Sequence, residues 1–172
     1  MIDVLIIGLI IVGLMVYAST RIKRISKEAF EFERIESDEF VFEKPEGFLN
    51  VIAPKAPLLL DGYSREFGEE NAANVRKGTY SLVLRDGFEV SAAFKDIKSL
   101  GNVVSDENSV IDGKKYRDVG VKFDVDGIGY DELYRLVGNA GGTFVFKATM
   151  LEEAGEEMRD AAQKMLASFQ VK

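Results

Sequence analysis

Apolar positions run almost unbroken from Val4 to Ala18 and stop at a basic cluster, Arg21, Lys23, Arg24 and Lys27. Beyond it, apolar and polar residues alternate over short stretches. Ten positions of the run are Leu, Ile or Val. Together they contribute on the order of −3 to −6 kcal/mol to membrane insertion. A span needs about 20 mostly apolar residues, which Met1, Ile2, Ser19 and Thr20 complete at the interfaces. A cleaved signal peptide would carry its basic residues before the apolar core, and a buried core helix would leave the basic flank unexplained. Residues 1–27 therefore read as a transmembrane anchor with a basic flank. Tyr17 lies at headgroup level, and the N-terminus is expected outside with the body in the cytoplasm at the cell membrane. Gly8 and Gly13 are five apart and make no small-xxx-small dimer face.

Residues 28–38 read as a connector: good helix formers first, then Phe30 and Phe32 alternating with Glu31 and Glu33 as in a strand. Residues 39–172 read as one globular domain. Glu39 to Glu43 is a short strand ending at the Lys44-Pro45-Glu46-Gly47 turn. Pro54 and Pro57 bracket a loop before a strand from Leu58 to Tyr63. Gly68 to Gly78 is a polar loop with one helical turn, and Thr79 to Leu84 is a strand. Asp86 offers an N-cap with Glu89 at the third helical position, and Val90, Ala93, Phe94, Ile97 and Leu100 follow at helical spacing. These predict a helix, although the alternation of Phe88, Val90, Ala92 and Phe94 would equally suit a strand.

Val103 to Ile111 and Lys115 to Val125 form a hairpin around Asp112-Gly113. Tyr130 to Val137 and Thr143 to Thr149 form another across Gly138 to Gly142, which makes an antiparallel meander. Thr149 with Glu152 reads as a capping box. It opens a helix whose apolar stripe is Leu151, Ala154, Met158, Ala161, Met165 and Phe169.

Charge divides the chain. Residues 1–27 carry a net +3 and residues 28–172 a net −10. The stub suits anionic lipid, and the body stands off from it. Nucleic acid is not an expected partner, because its recognition needs clustered cations. With no Cys and no His in the sequence, disulfides, thiolate or imidazole metal sites and Cys- or His-based catalysis are all excluded.

Carboxylate pairs occur at Glu36 to Glu39, Glu69-Glu70, Asp124 to Asp126 and Glu152-Glu153. Asp124-Val125-Asp126-Gly127 begins like a calcium loop, but its twelfth position is Arg135 instead of Glu. Gly138 to Gly142 lacks the Gly-Lys-Ser/Thr of a phosphate loop and enters a strand. Ser64 to Glu66 and Arg76-Lys77 have no general base beside them. No catalytic residue, metal or cofactor is expected.

Two stretches carry a family resemblance. The terminal Ser168-Phe169-Gln170-Val171, behind a hairpin and an amphipathic helix, and the early Phe42-Glu43-Lys44-Pro45-Glu46-Gly47-Phe48 resemble the PsbP, DcrB and Mog1-like domains. The resemblance implies an α+β fold, an α/β/α sandwich around a twisted antiparallel sheet. It also implies a non-enzymatic role, since its members are mostly adaptors, photosystem assembly or stabilising proteins and envelope lipoproteins. The chain departs from the lipoproteins in having no lipobox Cys. The expected function is an accessory subunit or assembly factor of an integral membrane complex, a photosynthetic one among the hosts. Its partners would be integral membrane subunits, with anionic lipid at the flank. The alternative is a tethered module binding a peptide, lipid or small apolar ligand in the cleft between sheet and helix.

Overall fold

The computed structural model describes the backbone of residues 2–172 and the side chains of residues 11–172. In chain order the elements are α1 (Ile2–Ala29), β1 (Glu33–Glu36), β2 (Phe40–Lys44), β3 (Phe48–Asn50), β4 (Leu58–Ser64), β5 (Gly78–Asp86), α2 (Val90–Lys98), β6 (Asn102–Ile111), β7 (Lys114–Val125), β8 (Ile128–Asn139), β9 (Gly142–Leu151), α3 (Gly155–Ser168) and β10 (Gln170–Val171). They build two antiparallel sheets. The smaller has the order β1-β2-β10, and the larger the order β3-β4-β5-β9-β8-β7-β6.

The meander β6 to β9 lies in sequence order across the large sheet, as its alternation predicts. Two of its turns are Asp-Gly pairs with both residues at positive φ, 51° and 78° at Asp112-Gly113 and 54° and 79° at Asp126-Gly127. That geometry matches the right-handed twist of the flanking strands. Tyr116, Val137, Phe144, Phe146 and Ala148 face one side of the sheet. There they pack with Phe40 and Phe42 of the small sheet, with Ala162, Met165 and Leu166 of α3, and with Phe169. On the other side Val119, Val121, Tyr134, Leu136 and Val145 pack under Ala93 and Ile97 of α2. The large sheet is thus covered on both faces, with a layer of α3 plus the small sheet on one and α2 on the other.

The helix predicted after Asp86 is present, and three other expectations are corrected. The segment after Asp86 is a helix and not a strand, because helical spacing puts Ala93 and Ile97 together on the sheet. It begins at Val90 after Glu89, however, since β5 continues through Asp86. Thr149 is not a cap. It lies in β9, paired to Thr79 on one side and Glu132 on the other, and α3 starts at Gly155. Ladder bonds to two neighbours outweigh a cap worth about 1 kcal/mol. Phe30 and Phe32 are not strand residues, for α1 runs to Ala29 and β1 opens at Glu33. The stretch read as connector therefore supplies an edge strand, with Ile35 opposite Phe42.

The expected span over residues 4–18 falls partly outside the described side chains. Among the described residues no helix is long and apolar enough to cross a membrane. Where α1 is described, Leu14, Met15, Val16 and Tyr17 are all exposed. Four consecutive helical residues point round the whole circumference, so no side of α1 is covered by the domain at that level.

Candidate functional site

Arg21, Lys23, Arg24, Lys27 and Tyr17 all stand exposed along α1. Arg24 lies 3.4 Å from Glu28 one turn on. The helix holds them as a solvated basic band and does not gather them into a pocket with domain residues.

A concave feature of the domain lies elsewhere, beside α3, where the face of the large sheet toward β6 and β7 is only partly covered. Two adjoining cavities of ≈ 310 Å³ and ≈ 400 Å³ share Ser105, Leu133 and Gln163 and form one trough. Its floor is set by register, with Ser105 opposite Gly120 and Gly120 opposite Leu133. A bulge between Val103 and Ser105 aims both Val104 and Ser105 toward Gly120, as bulges do when they redirect side chains. A Cβ at Gly120 would sit 2.5 Å from Ser105 Oγ and 3.2 Å from Val104 Cγ2, so only glycine leaves the floor clear.

Both ends of the trough are ion-paired. At one end Arg135, opposite Asp118 in register, grips it with two hydrogen bonds of 2.7 Å. It donates a third, of 2.9 Å, to the Ala167 carbonyl near the end of α3. At the other end Asp131 accepts from Arg159 of α3 at 3.2 Å and lies 3.1 Å from the Lys122 ammonium. Lys122 is also 3.2 Å from Glu152, and these two carboxylates hold its pKa above the usual lysine value. Asp118 and Lys122 are four residue steps apart on β7, so the trough is about 13 Å long. Glu107, on its rim, has no cationic partner among the described residues. The chemistry is that of a holding site, an apolar floor at Leu133, Val104 and Met150 between fixed charges.

On the opposite face of β8 the Glu132 carboxylate is buried. It accepts from the Tyr134 hydroxyl, from Lys147 Nζ at 3.1 Å and from Thr149 Oγ1 at 2.8 Å. Burial first, and the Glu132 carboxylate second, push the Tyr134 phenol well above its ordinary pKa. Three donors satisfy this carboxylate within the core.

The remaining carboxylate pairs resolve into local structure. Asp124 accepts from the Gly127 amide at 2.9 Å and so shapes the β7–β8 turn. Glu153 accepts from the Glu69 amide at 2.7 Å. No group of three or more ligating side chains that could hold a metal occurs among the described residues. Gly138 to Gly142 forms the β8–β9 hairpin end, and Arg76 stacks between the rings of Tyr63 and Phe67, 4.5 Å and 3.8 Å away.

Sequence reasoning expected a cleft between sheet and helix but named none of its residues, because its walls come from β6, β7, β8 and α3. One signal was present: Asp131, Glu132 and Arg135 fall within a strand that the meander buries on both faces. Charges there must find partners or cost several kcal/mol each.

No protein-family model matches the chain, and no curated protein does. Solved structures share its fold. Cyanobacterial PsbP (CyanoP) from Synechocystis sp. PCC 6803 is 13% identical over 83% of this chain and 94% of its own, with a TM-score of 0.59. LpqN of Mycobacterium tuberculosis, a protein involved in cell envelope biogenesis, is 13% identical over 83% of this chain and 91% of its own, with a TM-score of 0.60. The chain thus has a PsbP-like α+β fold.

Proposed function

We propose that the protein is a non-enzymatic accessory or assembly factor of an integral membrane complex, anchored by α1 with its acidic domain on the cytoplasmic face. The observation that carries this reading is α1 itself. It leaves the domain as one helix, exposed and apolar round its circumference between Ile11 and Tyr17, with its basic residues one turn later. A helix apolar all round is stable only when buried, and bilayer lipid or neighbouring helices can bury it. The basic band at Arg21, Lys23, Arg24 and Lys27 suits anionic headgroups on the side that keeps the domain. Two proteins of the same fold, a cyanobacterial PsbP and an envelope-biogenesis protein, support the class of role without naming the host.

The test is affinity purification from native membranes in mild detergent, followed by mass spectrometry. A stoichiometric set of membrane subunits is expected. Recovery of the chain alone from membranes overturns the accessory role, and recovery in the soluble fraction overturns the anchor.

The trough favours a second reading, a tethered module that holds an extended peptide segment. Its length of about 13 Å fits four residues of extended chain. Leu133 offers an apolar floor, and Glu107 and the outer edge of Asp118 favour a segment with Lys or Arg beside an apolar residue. A fluorescein-labelled Lys-Leu-Lys-Leu-Lys peptide should bind the domain and lose binding in Gln163→Trp, which fills the trough from the exposed side of α3. Equal anisotropy for both proteins sinks this reading.

A further inference from the structure

Phe40, Phe42 and Lys44 alternate along the inward face of β2, so strand geometry sends an ammonium where a third apolar side chain belongs. Lys44 is 1% exposed, the only buried lysine among the described residues. Among the described residues it forms no ion pair, and Glu33, opposite it on β1, stays out of reach. The Lys44 Nζ donates to three backbone carbonyls instead: Phe48 at 2.8 Å, Ala29 at 3.4 Å, and Glu31. These belong to the first residue of β3, the last residue of α1, and the turn that follows α1. The Ala29 carbonyl is among the last four of a helix, which have no intrahelical partner. A cation there also complements the negative end of the helix dipole.

Two further bonds close the same joint. The Gly47 amide donates to the Phe30 carbonyl at 2.8 Å, and the Arg65 amide donates to the Gly47 carbonyl at 2.8 Å. Gly47 takes a φ of 88°, which lets the β2–β3 turn fold back onto the end of the helix. The Arg65 guanidinium lies 6.0 Å from the centre of the Phe30 ring. Lysine is the residue that reaches all three carbonyls, because a single point donor on a long stem can sit between them.

We propose that Lys44 bolts α1 to the domain, making helix and domain one rigid body instead of a domain on a flexible tether. The rigidity of the joint is independent of what surrounds α1. Its use, to present the trough at a set height and angle to a membrane, rests on the anchor reading above. A domain held this way meets a neighbouring subunit with little orientational freedom left to lose, which strengthens docking without adding contacts.

The sequence contains no cysteine, so introduced ones are the only labelling points. Spin labels at Thr20→Cys in α1 and Ser91→Cys in α2 of the full chain, in lipid nanodiscs, report the angle of the joint by dipolar distance measurement. A second pair, Ser91→Cys with Glu157→Cys, reports the domain alone. The expected result is one narrow distance between helix and domain that broadens about twofold or more in Lys44→Met, as the joint opens locally while the domain stays folded. The intra-domain distance should stay unchanged.

A joint as narrow in Lys44→Met as in the parent overturns the proposal. Should both pairs broaden in Lys44→Met, Lys44→Gln, which keeps a donor, is measured next. Broadening of both pairs there too makes Lys44 a core residue and overturns it, whereas broadening of the first pair alone supports it. A separate label at Leu14, read by its accessibility to oxygen, tells whether α1 lies in lipid, so failure of the anchor and failure of the joint give different results.

Discussion

Two halves of one sheet face behave differently under the same helix. Toward β5 and β9 the face is closed. Phe42 meets Tyr80 edge-on at 5.6 Å and Phe146 at 5.3 Å, and Phe169 closes over Phe146 at 5.0 Å. Toward β6 to β8 it is open, floored by Gly120 and Leu133 and held at its ends by ion pairs. The aromatic half fills space, and the other half keeps space empty by holding charged side chains at its margins. The difference teaches that one sheet can be tightly filled on one part of a face and left concave on the part next to it.

The strongest way to break this contrast is Phe42→Ala. Phe42 is fully buried and touches both sheets. Its truncation leaves a cavity, and the expected loss is about 3–5 kcal/mol. A domain of this size has about 5–15 kcal/mol in total, so the variant should be close to unfolding at physiological temperature. Denaturant titration checks this, and a loss below about 1 kcal/mol would mean that the closed half does not hold the fold.

Asp118→Ala probes the open half. It leaves the Arg135 guanidinium, with 7% of its side chain exposed, holding only the Ala167 carbonyl. Removing one partner of a fully buried pair costs about 3–5 kcal/mol. Asp118 is one-third exposed, so about 2–3 kcal/mol is expected. Because Arg135 would then swing toward water, binding of the labelled basic peptide should weaken together with stability. A stable variant with unchanged peptide binding would show that the Arg135 end does not shape the trough.

What the sequence made legible follows the same division. The aromatic half was readable because alternation in β7, β8 and β9 and the Asp-Gly turns fix register, and register fixes which faces meet. The terminal Phe169 and Val171 were legible as part of a familiar pattern, though their partners, Phe40 and Phe146, were not. The helix caps failed for one reason: Asp86 and Thr149 have the side chains of N-caps but lie where a strand ladder continues, to β9 at Asp86 and to both neighbours at Thr149. The trough and the Lys44 joint were hidden because each depends on groups brought together from distant elements. At Lys44 the sequence even misleads, since a lysine before Pro45 and Gly47 reads as a solvated turn residue.

Alkaline pH should reach both faces of the sheet through two phenols. Burial pushes Tyr80, on the closed half, and Tyr134, under α2, above the ordinary tyrosine value. A phenol with a raised folded pKa contributes stability that is full below the unfolded value of about 10 and is lost as pH rises past it. One unit above that, the loss is about 1 kcal/mol for each phenol. Phenolate absorbance should therefore rise in a late step that coincides with loss of near-ultraviolet dichroism. Ionisation of either residue in the intact fold would contradict its burial.

The smallest effect belongs to the outer edge of the same sheet on its α2 side, where β6 leaves its backbone unpaired. Arg117 binds Asp106 there with hydrogen bonds of 2.8 Å and 2.7 Å, and its guanidinium lies 3.3 Å from the centre of the Phe94 ring. The Arg117 hydrogen bond holds the Asp106 carboxyl below the usual carboxylate range. Its stabilising effect is thus present above the unfolded value of about 3.9 and fades as pH falls through the lower folded value. Both side chains remain partly solvated, so Asp106→Asn should cost no more than about 1 kcal/mol at neutral pH. At low pH, where Asp106 is protonated in both proteins, it should cost almost nothing. The pair's second role is to keep a charged, bulged edge from pairing with another chain, the protection that exposed strands need. Asp106→Asn should therefore raise concentration-dependent association in light scattering more visibly than it lowers the unfolding midpoint. A variant that stays monomeric at every concentration would leave the bulge at Val104 as the feature that guards the β6 edge.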